Sequence, residues 1–280
     1  MKKQEIISLV PLELEENKEV KEIEKSLINL KIKRDEFNFE EIKLLYEKEG
    51  KKYPGDEYLS WFIGMAEGDG CWYVTKNNGT KRLNFTVTQH SNDLQILEKM
   101  VKILQIGTVN IENKRKIGNY KVLRNKEIKY IIAICNGNLV LPKRKEQFKK
   151  FLEVYNTKVK PEEQIKYKET NILPNLINSW LLGFTDSEGC YTISITRKKN
   201  TIDAKIKFIL TQKGEENKII LEEIQELFKV GKVRSHSTKN CYTYTCSGFK
   251  NCKLILPGHS SGVSSSPRID FSKYQLKTKK

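Results

Sequence analysis

Two acidic residues, Asp69 and Glu188, occupy the same place in two similar stretches of this 280-residue sequence. Each ends an apolar segment and precedes a Gly-Cys pair. An acid at the C-terminal end of a helix opposes the helix dipole, so its presence in both stretches favours a functional role. Two carboxylates that lie close together repel each other unless cations stand between them. Because carboxylate oxygens suit Mg²⁺, with Ca²⁺ or Mn²⁺ as substitutes, the pair predicts a metal site that acts on a phosphodiester.

The two stretches belong to an internal repeat. Residues 59–72 (LSWFIGMAEGDGCW) align without a gap with residues 178–191 (NSWLLGFTDSEGCY), at an offset of 119. Further landmarks recur in the same order: Thr88-Gln89 with Thr211-Gln212, residues 106–109 with 230–233, and Leu139–Pro142 with Leu254–Pro257. We interpret the chain as two copies of one α/β unit, related by a pseudo-twofold axis.

Each copy is predicted to begin with a helix that ends at its acid, over residues 59–69 and 178–188. The helices carry small residues four positions apart: Gly64 and Gly68 in the first, Gly183 and Ser187 in the second. Small residues at this spacing let two helix backbones approach closely. If the helices pair, their C-terminal ends meet and bring Asp69 beside Glu188. Glu67 and Asp186 also match each other and are interpreted as local hydrogen-bonding or packing residues.

Alternation of apolar and polar residues predicts strands after each of these helices. The second strand of each copy is predicted over 83–89 and 206–212. Further helices are predicted at about 91–105 and 214–229, and further strands at about 108–113, 120–123, 128–135, 232–237 and 241–247. The fold class is therefore predicted as α+β, with amphipathic antiparallel sheets that each present one polar face.

The basic charge of the chain lies outside its N-terminal segment. Residues 1–56 hold 12 Lys and Arg against 14 Asp and Glu, whereas residues 57–280 hold 39 against 21. Such a field attracts polyanions, and Arg, Lys and Asn on a polar sheet face can read base edges. A double-stranded DNA partner is therefore predicted on the polar faces. The predicted DNA contacts are Tyr73, Thr75, Arg82, Asn84, Thr86, Thr192, Ser194, Thr196, Lys205, Lys207 and Arg234.

Several other classes of protein are not favoured. No run of about 18 uncharged apolar residues predicts a membrane span, and the first residues lead into an acidic segment instead of an apolar signal. The six cysteines are scattered and are interpreted as reduced intracellular thiols. A zinc site at Cys241, Cys246 and Cys252 is not favoured, because the C-x2-C spacing is missing.

The paired stretches resemble the motifs of the LAGLIDADG homing endonuclease family, in its monomeric, two-motif, intron-encoded type. The similar segments are Phe62–Gly70 (FIGMAEGDG) and Leu181–Gly189 (LLGFTDSEG). The resemblance implies an αββαββα unit in each half, packing through the paired motif helices, and antiparallel β-saddles that lie in the DNA major groove. It also implies a monomer and an intracellular, organelle-encoded origin, most simply mitochondrial.

The resemblance further implies roles for residues that match the family pattern. The acids Asp69 and Glu188 would bind the metal, together with the carbonyl groups of Gly68 and Ser187. The glutamines that order the water would be Gln89 and Gln212. A basic residue near each site is also implied, and the candidates are Lys143 or Lys145, and Lys279 or Lys280.

The resemblance also predicts how the chain divides. Residues 1–56 form an N-terminal extension that is partly helical, 57–156 the first half, 157–175 a linker and 176–280 the second half. One departure from the family pattern is the Ser- and Gly-rich insert at 258–267. It leads to the prediction that the second half is shortened at its C-terminus and lacks the last helix.

Three functions remain open on the sequence alone. The first is a site-specific, Mg²⁺-dependent DNA endonuclease that cuts both strands of a long asymmetric target. The second is a maturase that binds intron RNA on the same scaffold and assists splicing. The third is a DNA-binding relative without activity. The presence of both acids favours cleavage.

Overall fold

A computed structural model of the chain describes residues 34–77, 79–197, 202–260 and 277–278. The first half contains the helices and strands α1 (Glu40–Lys48), α2 (Asp56–Asp69), β1 (Gly70–Asn77), β2 (Thr80–His90), α3 (Leu94–Leu104), β3 (Thr108–Glu112), β4 (Ile117–Val122), α4 (Asn125–Cys135) and α5 (Pro142–Asn156). The second half contains α6 (Trp180–Glu188), β5 (Gly189–Arg197), β6 (Ile202–Lys213), α7 (Glu215–Phe228), β7 (Lys232–Ser235), β8 (Cys241–Ser247), α8 (Phe249–Ser260) and β9 (Lys277–Thr278).

Each half has one sheet built on the same plan. The strand order is β1-β2-β4-β3 in the first half, and β7-β8-β6-β5-β9 in the second. The pairs β1/β2, β2/β4 and β3/β4 are antiparallel, as are β5/β6, β6/β8 and β7/β8, and the two-residue β9 lies parallel to β5. The predicted αββαββα unit is therefore confirmed in both halves, and α5 follows it in the first.

The alternation of side chains explains which face of each sheet is buried. In β2, Leu83, Phe85 and Val87 are at most 1% exposed and belong to the core. In β6, Phe208 and Leu210 are fully buried in the same way, opposite exposed Lys205 and Lys207. Burial of these apolar side chains stabilises each sheet against its helices.

The two halves join through α2 and α6, as the small residues predict. A Cβ atom on Gly64 would lie 2.1 Å from the carbonyl oxygen of Trp180, and one on Gly183 would lie 1.9 Å from that of Trp61. Only glycine lets the two backbones approach this closely. Two reciprocal bonds lock the crossing: Trp61 Nε1 donates to Asp186 Oδ2 at 2.9 Å, and Trp180 Nε1 donates to Glu67 Oε2 at 2.7 Å.

The strand predicted at 128–135 is wrong, because these residues lie in α4. The segment is rich in Ile and Tyr, which favour strands, and a short apolar run does not distinguish a strand from a buried helix. Tertiary packing decides for the helix, since Ile128, Ile131, Ile132 and Ile134 are all fully buried on it.

The alignment of Leu139–Pro142 with Leu254–Pro257 is also wrong as a structural correspondence. The first segment follows α4 and leads into α5, whereas the second lies inside α8. By strand register, Phe85 pairs with Val122 and Phe208 pairs with Cys246, so α8 is the counterpart of α4. Most of the 258–267 insert lies outside the described residues, and the predicted C-terminal shortening stays a prediction.

The segments that flank the first half are attached to it. On α1, Ile42 and Tyr46 are fully buried, and Tyr46 Oη donates to the carbonyl of Leu104 at 2.7 Å. The predicted N-terminal extension is thus helical at α1, while residues 1–33 lie outside the described residues. The predicted linker is held along the end of α4, where Asn136 bonds the backbone of Lys166 and Lys168.

Candidate active site

The C-terminal ends of α2 and α6 bring the two repeated acids together. A Cβ atom on Gly68 would lie 1.9 Å from Ser187 Oγ and 3.0 Å from Glu188 Cγ, so the last turns of the two helices touch. The chain continues from each acid directly into β1 or β5. The carboxylates of Asp69 and Glu188 therefore lie where the two sheets begin, at the junction of the two halves.

The environment of this junction raises the pKa of both acids. For Asp69 the pKa rises from 3.8 to about 7: burial has the largest effect, a hydrogen bond from Gln89 lowers it, the charge of Glu188 raises it and Arg144 lowers it. For Glu188 burial also raises the pKa, against lowering by Gln212 and Arg144. Two neighbouring carboxylates with raised pKa values form a site that gains stability from a bound cation.

Both predicted glutamines lie beside their acids. Gln89 Nε2 donates to Asp69 Oδ2 at 2.5 Å and contacts Met65 Sδ at 3.7 Å. Gln212 hydrogen-bonds Glu188, and its Oε1 accepts from Asn217 Nδ2 at 3.1 Å. Gln89 on β2 and Gln212 on β6 thus place one side-chain amide beside each carboxylate, and they occupy equivalent positions in the repeat.

Arg144 is the basic residue at this site, and sequence reasoning missed it. Its Nε donates to the carbonyl of Glu67, and its Nη2 to the carbonyl of Gly68, both at 2.7 Å. Its charge lowers the pKa of both Asp69 and Glu188. The sequence does place Arg144 between the two lysine candidates, at the start of α5. Periodicity alone does not show which of these three side chains faces the acids.

Of the two lysine candidates in the first half, one lies beside the acids and the other does not. Lys145 Nζ donates to the carbonyl of Thr170 at 2.8 Å, in the linker. Lys143 lines a cleft of about 870 Å³ that opens beside Glu188, between α5 and β6. Lys279 and Lys280 lie outside the described residues. Lys143 therefore stays a candidate, Lys145 is directed at the linker, and Arg144 is the basic residue whose charge acts on both acids.

The donor set suits a hard cation. Two carboxylates converge here, and the Gly68 carbonyl is directed at the cationic guanidinium of Arg144. The hydroxyl of Ser187 donates within its own helix, to the carbonyls of Gly183 and Phe184. Among the described residues no three His, Cys, Asp or Glu side chains gather as metal ligands. Oxygen donors of this kind fit Mg²⁺, which keeps waters and phosphate oxygens in its other positions.

The acids two positions earlier have a structural role, as predicted. Glu67 is 1% exposed and accepts from the backbone N–H groups of Val140 and Leu141 as well as from Trp180. Burial raises the pKa of Glu67 to about 7, against the lowering by these donors. Its carboxylate joins the α4–α5 turn to the paired helices.

The predicted DNA contacts lie on the polar faces of the two sheets. Cross-strand pairs join several of them: Tyr73 with Asn84, Thr75 with Arg82, Thr192 with Lys207 and Ser194 with Lys205. Most of them, including Thr196 and Arg234, are exposed, and Thr192 is half-buried. Asn84 and Thr86 are only 9% and 8% exposed, and Asn84 Nδ2 donates to Thr75 Oγ1 at 3.1 Å. These two are less accessible than the sequence predicts.

In the described part of the chain, none of the helices is both long and apolar enough to cross a bilayer.

Comparison with known proteins gives both family and fold matches. The sequence profile described as LAGLIDADG endonuclease matches residues 62–155 and 181–280. The chain is 37% identical over 223 residues to Probable intron-encoded endonuclease 4 of Neurospora crassa. The aligned region covers 79% of this chain and 37% of that protein. It is also 34% identical over 137 residues to Intron-encoded RNA maturase bI4 of Saccharomyces cerevisiae. This aligned region covers 47% of this chain and 19% of that protein. The chain thus spans well under half the length of both relatives.

Among solved structures, the LAGLIDADG homing endonuclease I-LtrWI bound to target DNA superposes with a TM-score of 0.56 and 21% identity. The match covers 80% of this chain and 86% of that one. At this identity the likeness establishes the fold, with its two pseudo-symmetric halves.

Proposed function

Because the chain belongs to the LAGLIDADG endonuclease family, whose profile matches both halves, we propose that it is a site-specific homing endonuclease that cuts both strands of a long asymmetric DNA target. The observation that carries this proposal is the meeting of Asp69 and Glu188, one from each half, at the ends of the paired helices. A metal-dependent phosphodiester hydrolase needs such a shared acidic centre beside a surface that binds the duplex.

The metal is proposed to be Mg²⁺, held by the carboxylates of Asp69 and Glu188 and the carbonyl groups of Gly68 and Ser187. When bound, it supplies an activated water and stabilises the leaving oxygen. The protein's own groups prepare this chemistry. Gln89 and Gln212 orient the carboxylates and hold the water, and Arg144 places a positive charge where negative charge develops on the phosphate.

The two sheets would bind the duplex and read its sequence. Arg82 on β2 and Lys205 and Lys207 on β6 are exposed on the polar faces, and the two faces differ in sequence. Different side chains on the two halves read different half-sites, so the target is asymmetric. Lysines outside the sheets bind phosphates and add affinity without specificity.

The proposed origin is an intron of an organelle genome, most simply mitochondrial. The supporting observation is the similarity to proteins named as intron-encoded endonucleases. A second function, RNA maturase on the same scaffold, is favoured by the similarity to a protein named as an intron-encoded RNA maturase.

A cleavage selection tests the proposal. A randomised DNA library is incubated with the protein in Mg²⁺ and in Ca²⁺, and cut molecules are sequenced. Recovery of one long asymmetric site in Mg²⁺ is the expected result. Tight binding to intron RNA without any DNA cleavage would favour the maturase, and binding to DNA without cleavage would favour an inactive relative.

The acids are tested on the recovered site. Asp69→Asn combined with Glu188→Gln is expected to abolish double-strand cleavage while DNA binding survives, because the charge that holds the metal is lost. Glu57→Gln, at the exposed opposite end of α2, is the matched control and keeps full activity. Full cutting by the double variant would overturn the proposed mechanism.

A further inference from the structure

We propose that Asn217 is a positioning residue that turns the amide of Gln212 toward Glu188, and that this device operates in the second half of the protein only. The inference rests on the proposed nuclease function. It predicts that loss of the hydrogen bond from Asn217 to Gln212 slows the cleavage of one DNA strand more than that of the other.

The backbone determines the orientation of Asn217. The N–H group of Lys143, at the start of α5, donates to Asn217 Oδ1 at 3.4 Å, and Asn217 Nδ2 donates to the carbonyl of Lys213 at 3.3 Å. A backbone N–H can only donate and a carbonyl can only accept, so the two ends of the side-chain amide are distinguished. Asn217 is 3% exposed, which keeps water from replacing these partners.

Asn217 in turn determines the orientation of Gln212. Its Nδ2 also donates to Gln212 Oε1 at 3.1 Å, and Gln212 is 7% exposed. Because Oε1 is engaged, the NH₂ group of Gln212 is the end left for Glu188, which lines the same cleft and whose pKa Gln212 lowers. A reversed amide would direct its oxygen at the carboxylate and repel it.

The first half lacks this arrangement at the corresponding position. The helices α3 and α7 end at equivalent left-handed residues, Gln105 and Lys229, which lie 124 positions apart. The position of Asn217 is therefore occupied by Asp93 in the first half. A carboxylate accepts hydrogen bonds and has no N–H group to donate to an amide oxygen, so Asp93 cannot orient Gln89 as Asn217 orients Gln212.

The arrangement also crosses between the halves. Lys143 begins the helix that follows the first αββαββα unit, whereas Asn217 and Gln212 belong to the second unit. The orientation of the amide at Glu188 is therefore supported from both halves, by Lys213 of its own unit and by Lys143 at the start of α5.

Strand-specific cleavage rates test the inference on the duplex recovered from the library selection, with each strand end-labelled. Gln212→Ala identifies the strand that Gln212 serves. Asn217→Leu, which is close in size and has neither a donor nor an acceptor, is expected to slow that same strand about fivefold to tenfold through loss of one buried hydrogen bond. In the Gln212→Ala background, Asn217→Leu is expected to have no further effect, because Asn217 acts through Gln212.

Asn217→Asp keeps the side-chain size and replaces the leucine variant if that variant does not fold. Aspartate at this position favours the reversed amide of Gln212 and is expected to slow the same strand.

Asn138→Leu is the matched control, since Asn138 is 1% exposed and bonds the backbone of Asn38 and Ile134, away from the acids. It is expected to lower the melting temperature without strand preference. If the wild type cuts both strands but Asn217→Leu slows them equally, or keeps its full effect without Gln212, the inference is wrong and the nuclease assignment stands. If the wild type cuts neither strand, the proposed function itself is overturned.

Discussion

Four acids lie near the C-terminal ends of α2 and α6, and their hydrogen-bond partners separate them into two kinds. Glu67 and Asp186 accept from the indole groups of Trp180 and Trp61 across the helix pair. Asp69 and Glu188 instead receive amide groups from Gln89 and Gln212, and burial raises the pKa of both. The first pair joins the halves, and the second pair is the one proposed to bind the cation.

The raised pKa of Asp69 predicts how the stability of the metal-free protein depends on pH. Between pH 3.8 and about 7 the folded state keeps a proton that the unfolded chain releases, so stability falls as pH rises through this range. Asp69→Asn removes this effect. After allowance for solvent screening, we expect the variant to gain about 1–2 kcal/mol at pH 8, roughly 2–8 °C in melting temperature, and less at pH 5.

Thermal melting at pH 5 and pH 8 in the presence of a chelator measures this difference. Added Mg²⁺ is expected to raise the melting temperature of the wild type at pH 8 and to leave that of Asp69→Asn nearly unchanged. An equal melting temperature for the two proteins at pH 8 without metal would show that the carboxylate is not destabilised by burial.

Arg144 predicts a second effect at the residue scale. Arg144→Met removes the positive charge beside both acids and the donors to the carbonyls of Glu67 and Gly68. We expect cleavage to slow about 100-fold and its pH profile to move upward, because the pKa values of both acids rise further. Arg144→Lys restores part of the rate, and Arg124→Met, which removes an exposed arginine, changes neither quantity. An unshifted pH profile in Arg144→Met would contradict this role.

At the scale of elements, the glycines in the helix pair are the most sensitive positions. Gly64→Ala places a methyl group 2.1 Å from the Trp180 carbonyl, which forces the helices apart. We expect a loss of about 3 kcal/mol, seen as a drop in the denaturation midpoint, together with loss of cleavage. Gly79→Ala, where nothing lies within 4 Å and φ is 76°, is the control and costs about 1 kcal/mol of local strain. Equal effects of the two substitutions would contradict the tight crossing.

The element scale also shows how far the sequence could predict the structure. The helices that end at Asp69 and Glu188 were predictable because a repeat, small-residue spacing and a following glycine all agree. The alternation in β2 and β6 likewise predicted which faces are polar. The segment 128–135 could not be assigned correctly, since its β-branched residues favour a strand locally and only packing in three dimensions selects α4.

Long-range geometry explains the remaining differences in the site. Arg144 reaches the acids because α5 begins beside the helix pair. No local pattern in the sequence predicts that α5 packs in this position. The role of Asn217 depends on a contact with Lys143, 74 residues away in the sequence. Asn84 and Thr86 lie on an inner strand of the sheet, between β1 and β4, and Asn84 also bonds the side chain of Thr75 on β1.

At the scale of the whole molecule, the basic excess in residues 57–280 predicts strongly salt-dependent DNA binding. If Lys207 contacts a phosphate, Lys207→Ala is expected to reduce the slope of log affinity against log salt by about 0.9. Lys43→Ala on α1, outside both sheets, removes the same charge and leaves the slope unchanged. An unchanged slope with a relaxed preference at one base pair would instead place Lys207 on a base edge.

We propose that the two acids, one from each half, form a shared centre that holds a divalent cation on the DNA. Anomalous diffraction from crystals of the protein with its selected duplex and Mn²⁺ measures this directly. We expect manganese peaks within coordination distance of the carboxylates of both Asp69 and Glu188. Peaks bound to only one of these residues, or at a different place on the protein, would contradict the account.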